Sequence, residues 1–133
     1  MIKFKGKLVE LPDIGSRWIP TAQLRILTEK GQYLCEMVVD TGADITLIPR
    51  SLGEFLQLSF KGEKIREIRG IGDTAIPYVM KSVGLQVDRH KFPARIGVAL
   101  IEEVPLILGR LDVFDHFNIE FKQKEKITVF KKT

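Results

Sequence analysis

A single cysteine, Cys35, stands in the whole chain, so no disulfide can form within it. Long apolar runs are missing too: the richest stretch, from Ile96 to Leu108, is broken by Glu102 and Glu103 and is not a membrane-spanning helix. The start, Met1-Ile2-Lys3-Phe4-Lys5, alternates lysine with apolar residues and lacks the apolar segment of a secretory signal. These absences set the expectation of a cytoplasmic protein with no membrane partner. Only two histidines occur, His90 and His116, and neither lies at a metal-binding spacing from the other or from Cys35. No metal and no cofactor is therefore expected. No Ser-His-Asp or Cys-His arrangement is visible. Gly70-Ile71-Gly72 lacks the third glycine and the strand-to-helix setting of a dinucleotide loop.

What is present describes an ordinary globular protein. With 133 residues, 44% of them hydrophobic and 29% charged, the chain reads as one domain over residues 1–133. That length suffices for a core without disulfide or metal support. Cys35, among Tyr33, Leu34 and Met37, reads as an inert core thiol. The net charge of +4 is partly arranged in stripes, Lys3, Lys5 and Lys7 near one end and Lys122, Lys124 and Lys126 near the other. Such stripes can contact nucleic acid. Few aromatics interleave with them, and Glu120 and Glu125 dilute the second, so they read better as lysines guarding exposed strand edges.

Short alternating segments punctuated by turn residues dominate the chain, which predicts a mostly-β barrel. Residues 2–9 alternate as a strand, and Leu11 to Pro20 reads as a loop or wandering edge segment. Residues 22–28 and 32–39 predict a hairpin around Glu29-Lys30-Gly31. Ile45 to Ile48 is a short strand stopped by Pro49, and Ser51 to Leu58 a brief helix. A second hairpin has its tip at Gly70-Ile71-Gly72-Asp73, and a third turns at Asp88-Arg89-His90-Lys91. Leu111, Phe114 and Phe117 recur at helical spacing, which predicts a helix over 110–117. A last hairpin joins residues 118–122 to 126–131.

The chemistry concentrates in Val38-Val39-Asp40-Thr41-Gly42-Ala43-Asp44. A carboxylate at the end of an apolar strand is costly unless paired, hydrogen-bonded or wet, which puts Asp40 at the mouth of a core. Thr41 can hydrogen-bond across a contact, and Gly42 allows a tight turn and close approach of a ligand or second chain. An Asx-type turn, where Asp and Gly occur for backbone reasons, is the plain alternative.

This segment resembles the active-site loop of the retropepsin-like aspartic proteases, the single-domain, retroviral-type branch. Two further segments share the resemblance in the right order: Ile68-Arg69-Gly70-Ile71-Gly72 is similar to the glycine-rich flap, and Pro105-Leu106-Ile107-Leu108-Gly109-Arg110 to the hydrophobic motif ending in glycine. The flap segment departs from the glycine-richest examples at Asp73 and Thr74. The resemblance implies a closed β-barrel of the acid-protease type, with one short C-terminal helix and one active-site loop per chain. It implies that Asp40, Thr41 and Gly42 are catalytic, Thr41 bonding to an opposite loop and Gly42 offering its carbonyl to substrate. Ala43, Asp44, Gly70, Ile71 and Gly72 would contact substrate, while Gly109 and Arg110 support the site, Arg110 by a bidentate pair with Asp44.

Such a mechanism needs two carboxylates sharing one proton, since like charges in contact cannot both ionise. The chain has one Asp-Thr-Gly and no Asp-Ser-Gly. A homodimer is therefore expected, two Asp40 residues meeting on its two-fold axis and hydrolysing a peptide or protein substrate. The terminal strands, 2–9 and 126–131, are the expected interface. Two other functions fit parts of the pattern: a non-catalytic dimer that binds peptide or acts as a scaffold, and a basic nucleic-acid-binding barrel.

Overall fold

The computed structural model describes residues 1–69 and 74–133. Strand β1 (Ile2–Phe4) is followed by β2 (Lys7–Leu11), β3 (Gly15–Ile19), β4 (Thr21–Thr28), β5 (Gly31–Val39) and β6 (Thr46–Ile48). A short helix, α1 (Arg50–Phe55), precedes β7 (Arg66–Arg69), β8 (Ala75–Val87), β9 (His90–Ala99), β10 (Ile107–Leu108), β11 (Phe117–Lys122) and β12 (Ile127–Lys132).

Alternation builds the barrel. In β4, Ala22, Leu24 and Ile26 are buried while Gln23 and Arg25 face solvent. Across the hairpin, Ala22 stands opposite Met37 and Leu24 opposite Cys35, so both strands aim one face inward. Val79, Val83, Leu85 and Val87 of β8 and Phe92, Ala94, Ile96 and Val98 of β9 complete the interior. The order β4-β5-β10-β6-β9-β8 closes because β4 also pairs with β8, Ile26 opposite Leu85. Six strands thus form a closed barrel. β7 adds to the free side of β8, which serves both the barrel and this outer hairpin. The expected hairpin tip, Gly70-Ile71-Gly72-Asp73, lies outside the described residues.

The short β10 inserts between the two strands that flank the Asp-Thr-Gly segment. It runs parallel to β5, with Ile107 opposite Val38, and antiparallel to β6, with Ile107 opposite Leu47. This threading brings the third motif against the first.

Three expectations need correction. No helix forms over 110–117: the residues make a run of turns, closed by hydrogen bonds from the N–H groups of Val113 and Phe114 to the Arg110 carbonyl. Asp112 adopts a left-handed φ of 63°, which an α-helix cannot continue through. Its hydrophobic spacing is real, Val113 and Phe117 being buried, but it packs a coiled turn onto the core. The helix that does form, α1, follows Pro49, whose φ of −71° suits a helix entrance. It ends where Gln57 turns left-handed (φ 58°).

The N-terminal segment is not one strand. Gly6, at φ +66°, breaks it into β1 and β2, and a Cβ there would lie 2.5 Å from the Ile19 carbonyl oxygen. The following segment, read as a loop or a wandering edge, supplies β3, an edge strand that among the described residues pairs only with β2, from Lys7 opposite Ile19 to Leu11 opposite Gly15. Trp18 fastens this hairpin, buried and donating its indole N–H to the Lys5 carbonyl at 2.8 Å.

At the C-terminus, β12 is the centre of a three-stranded sheet, flanked by β1 and β11, and not an isolated edge. Phe130 packs its ring against Phe4 and Phe117, with centroids 5.1 and 5.5 Å away. The ends of the chain are therefore tied to each other.

Candidate active site

Asp40 follows the last residue of β5 and is half-buried. Its N–H donates to the Leu108 carbonyl at 3.1 Å, so β10 extends the ladder onto the carboxylate-bearing residue itself. Val38 N–H donates to the Leu106 carbonyl at 3.0 Å and Val39 N–H to the Pro20 carbonyl at 2.9 Å, fixing the strand from both sides. Asp40 Oδ1 accepts the Gly42 N–H at 2.9 Å, and the Asp40 carbonyl accepts the Ala43 N–H at 3.2 Å.

The Asx-type turn is therefore present, and it fixes the carboxylate's direction. One oxygen is held by the backbone of its own loop. Gly42 is not needed for a left-handed backbone, since its φ is not in that range. Its use is proximity: a Cβ there would sit 3.3 Å from Asp40 Oδ1, tighter than an ordinary contact. Thr41 and Gly42 are exposed, Asp44 is exposed and Ala43 half-buried, so the loop presents itself outward from the barrel end.

The third motif supports this loop from beneath. The Arg110 N–H donates to the Ala43 carbonyl at 3.0 Å and the Leu111 N–H to the Asp44 carbonyl at 2.9 Å. Arg110 also donates from one guanidinium nitrogen to Asp44 Oδ1 at 2.8 Å. The structure thus brings together Arg110 and Asp44, but through a single contact and not a two-pronged one. Gly109 is buried, and a Cβ on it would fall 2.2 Å from the Ile45 carbonyl oxygen. No side chain fits between the third motif and the end of the active loop.

Sequence reasoning missed Thr46. It is fully buried, and its Oγ1 accepts the Gly109 N–H at 3.0 Å. The signal was present: a hydroxyl inside the apolar run Ile45 to Ile48 requires a buried partner. Gly70, Ile71 and Gly72, the expected flap residues, lie outside the described residues. Among the described residues no three His, Cys, Asp or Glu side chains gather as metal ligands would.

Two carboxyls outside the loop are held by hydrogen bonds. Arg95 grips Asp112 with two guanidinium bonds of 2.8 and 3.0 Å, and its N–H adds a third at 2.9 Å. These bonds hold the Asp112 carboxyl below the usual carboxylate range. Ser51 does the same for Glu102, through its hydroxyl first and then its N–H.

The loop is thus an aimed carboxylate on a rigid strand end, exposed on one side and braced on the other. A family model described as aspartyl protease matches residues 23–110, which include both the loop and Gly109-Arg110. The chain has no match among curated proteins.

Proposed function

The chain belongs to the retropepsin-like aspartyl protease family, and from that premise we propose that it is a homodimeric endopeptidase using two Asp40 carboxylates. The observation that carries the reading is the geometry of Asp40. It is anchored through its N–H to Leu108 and through one carboxylate oxygen to Gly42, on a loop whose Thr41 and Gly42 face solvent. A single chain supplies one such carboxylate, and its sequence contains no second Asp-Thr-Gly to complete the pair.

Two copies facing at this loop would set the carboxylates close enough to share a proton. The ionised partner then draws a proton from water as that water attacks the scissile carbonyl, and the protonated partner donates to the carbonyl oxygen. No bond to the protein forms. Thr41 would bond to the opposite loop and keep the two aspartates level. Gly42 and Ala43 would lie along the substrate backbone, with Asp44, steadied by Arg110, contacting its main chain. Within one chain the terminal sheet leaves β1 and β11 as its edges, and these are the strands open to a second copy.

The test is Asp40→Asn, which keeps the shape and removes the base. Peptide hydrolysis by the wild type should follow a bell-shaped pH profile with its maximum at acidic pH, and it should disappear in the variant. The variant should still sediment as a dimer and still bind a statine-containing peptide that resembles the tetrahedral state. Equal hydrolysis by wild type and variant would sink the mechanism. Peptide binding without hydrolysis in the wild type would favour the non-catalytic peptide-binding module instead.

A further inference from the structure

Beside the Asp40 loop opens a cavity of about 330 Å³ lined by Ile45, Arg66, Tyr78, Met80 and Arg95. Strand register explains its walls. Arg66 stands opposite Tyr78 between β7 and β8, Met80 stands opposite Gly97 between β8 and β9, and Arg95 stands opposite Ser82. Opposed residues, and every second residue along a strand, share a face. Arg66, Tyr78, Met80, Gly97 and Arg95 therefore share one side of the sheet, while Val79, Ile96 and Val98 fill the core on the other.

Gly97 creates the depth. A Cβ there would come 2.8 Å from Ile45 Cδ1 and 3.1 Å from Tyr78 Cδ2. With only hydrogen at that position, Ile45 and Tyr78 both settle against the sheet, and the hollow joins the end of the active loop to the outer hairpin.

The charges around this hollow are unequal. Of the two arginines that line it, Arg95 is occupied by Asp112. Among the described residues neither the Arg66 guanidinium nor the Tyr78 hydroxyl has an ion-pair or hydrogen-bond partner. A planar guanidinium with several donors, beside a phenol and above the apolar surface of Ile45 and Met80, suits a carboxylate on a short aliphatic stem.

We propose that this cavity is a specificity subsite for an Asp or Glu side chain of the substrate, with Arg66 as the residue that determines the preference. This rests on the endopeptidase reading. Ile45 follows Ala43 and Asp44 along the loop, so the acidic side chain sits outward from the residues at the scissile bond. A two-fold dimer repeats the cavity, so the preference recurs on both sides of the cleaved bond.

The experiment uses the full chain and a set of extended decapeptides carrying Glu or Gln at each position in turn. Wild type should favour Glu at one outer position on each side, by about tenfold in kcat/KM, the scale of one charge-assisted hydrogen bond. The preference should shrink as salt is raised. Arg66→Gln should bring the Glu-to-Gln ratio to about one, and Arg66→Glu should turn it toward peptides carrying Lys at the same position. A wild-type ratio near one, or a ratio unchanged in Arg66→Gln, overturns the subsite. Cleavage without preference would leave the protease reading standing and remove only the subsite. Where no peptide is cut, the same ratios are read as binding by fluorescence anisotropy: an Arg66-dependent preference keeps the subsite while catalysis falls, and its absence removes the subsite.

Discussion

Thr46 Oγ1 accepts the backbone N–H of Gly109 at 3.0 Å, in the interior, from 63 residues away in sequence. This bond ties the strand that follows the active loop to the motif that braces it. Both groups are out of water, so each depends on the other for its hydrogen bond.

Thr46→Val keeps the size and branching of the side chain and strands the Gly109 N–H. Denaturant unfolding should show a loss of about 1–3 kcal/mol, the cost of a buried unsatisfied donor. Gly109→Ala should be worse, because its Cβ would meet the Ile45 carbonyl oxygen at 2.2 Å and backbone must move. If both variants unfold at the wild-type denaturant midpoint, the anchor does not matter.

Arg110→Ala tests the other brace. The Asp44–Arg110 pair is close but wet, with side chains 85% and 56% exposed. Screening by solvent limits such pairs to about 0.2–1 kcal/mol. Unfolding of the single chain should therefore change little, while hydrolysis should fall if Asp44 must be held to meet substrate. A loss of stability well beyond that scale would show that solvent does not screen this pair, and unchanged hydrolysis would sink its role in holding Asp44.

Acid should weaken the fold partly through Asp112. Its carboxyl is held below the ordinary range by the hydrogen bonds from Arg95. Folding therefore favours the ionised form. The stabilisation is complete above the ordinary carboxylate pKa of roughly 4, and it is lost as pH falls further, through the lowered folded value. Thermal unfolding measured across this range should slope less steeply in Asp112→Asn than in wild type. Parallel slopes would exclude the contribution.

Cys35 should be nearly inert in the native state. Burial pushes its thiol up to about 11. At pH 8 only about a thousandth is then thiolate, the reactive form. Because folding favours the neutral thiol, its contribution to stability holds below the ordinary thiol pKa and fades as pH rises toward that raised value. Labelling by an aromatic disulfide reagent should be slow in buffer and become fast in denaturant. Rapid stoichiometric labelling of folded protein would show an accessible thiol.

Much of this was legible in the chain. Alternation in residues 22–28 and 32–39 is a local signal, and it foretold the β4–β5 hairpin because its turn and both faces are encoded within a few residues. The Asp-Thr-Gly segment and Gly109-Arg110 were legible because few residue types fit a carboxylate turn or a backbone contact with no room for Cβ. The spacing of Leu111, Phe114 and Phe117 misled, since periodicity reports which side chains face the core and not the backbone path that carries them. A left-handed Asp112 gave the same burial without a helix.

Sequence alone thus determined the strand-rich class, the single carboxylate loop and the need for a second copy if that loop is to act as an acid–base pair. Tertiary structure alone decided that β10 threads between β5 and β6, that Thr46 meets Gly109 and that Gly97 hollows a cavity between Ile45 and Tyr78. The physical reason is range. Local signals arise from residues a turn or a pleat apart, whereas these contacts join residues brought together only when the barrel closes.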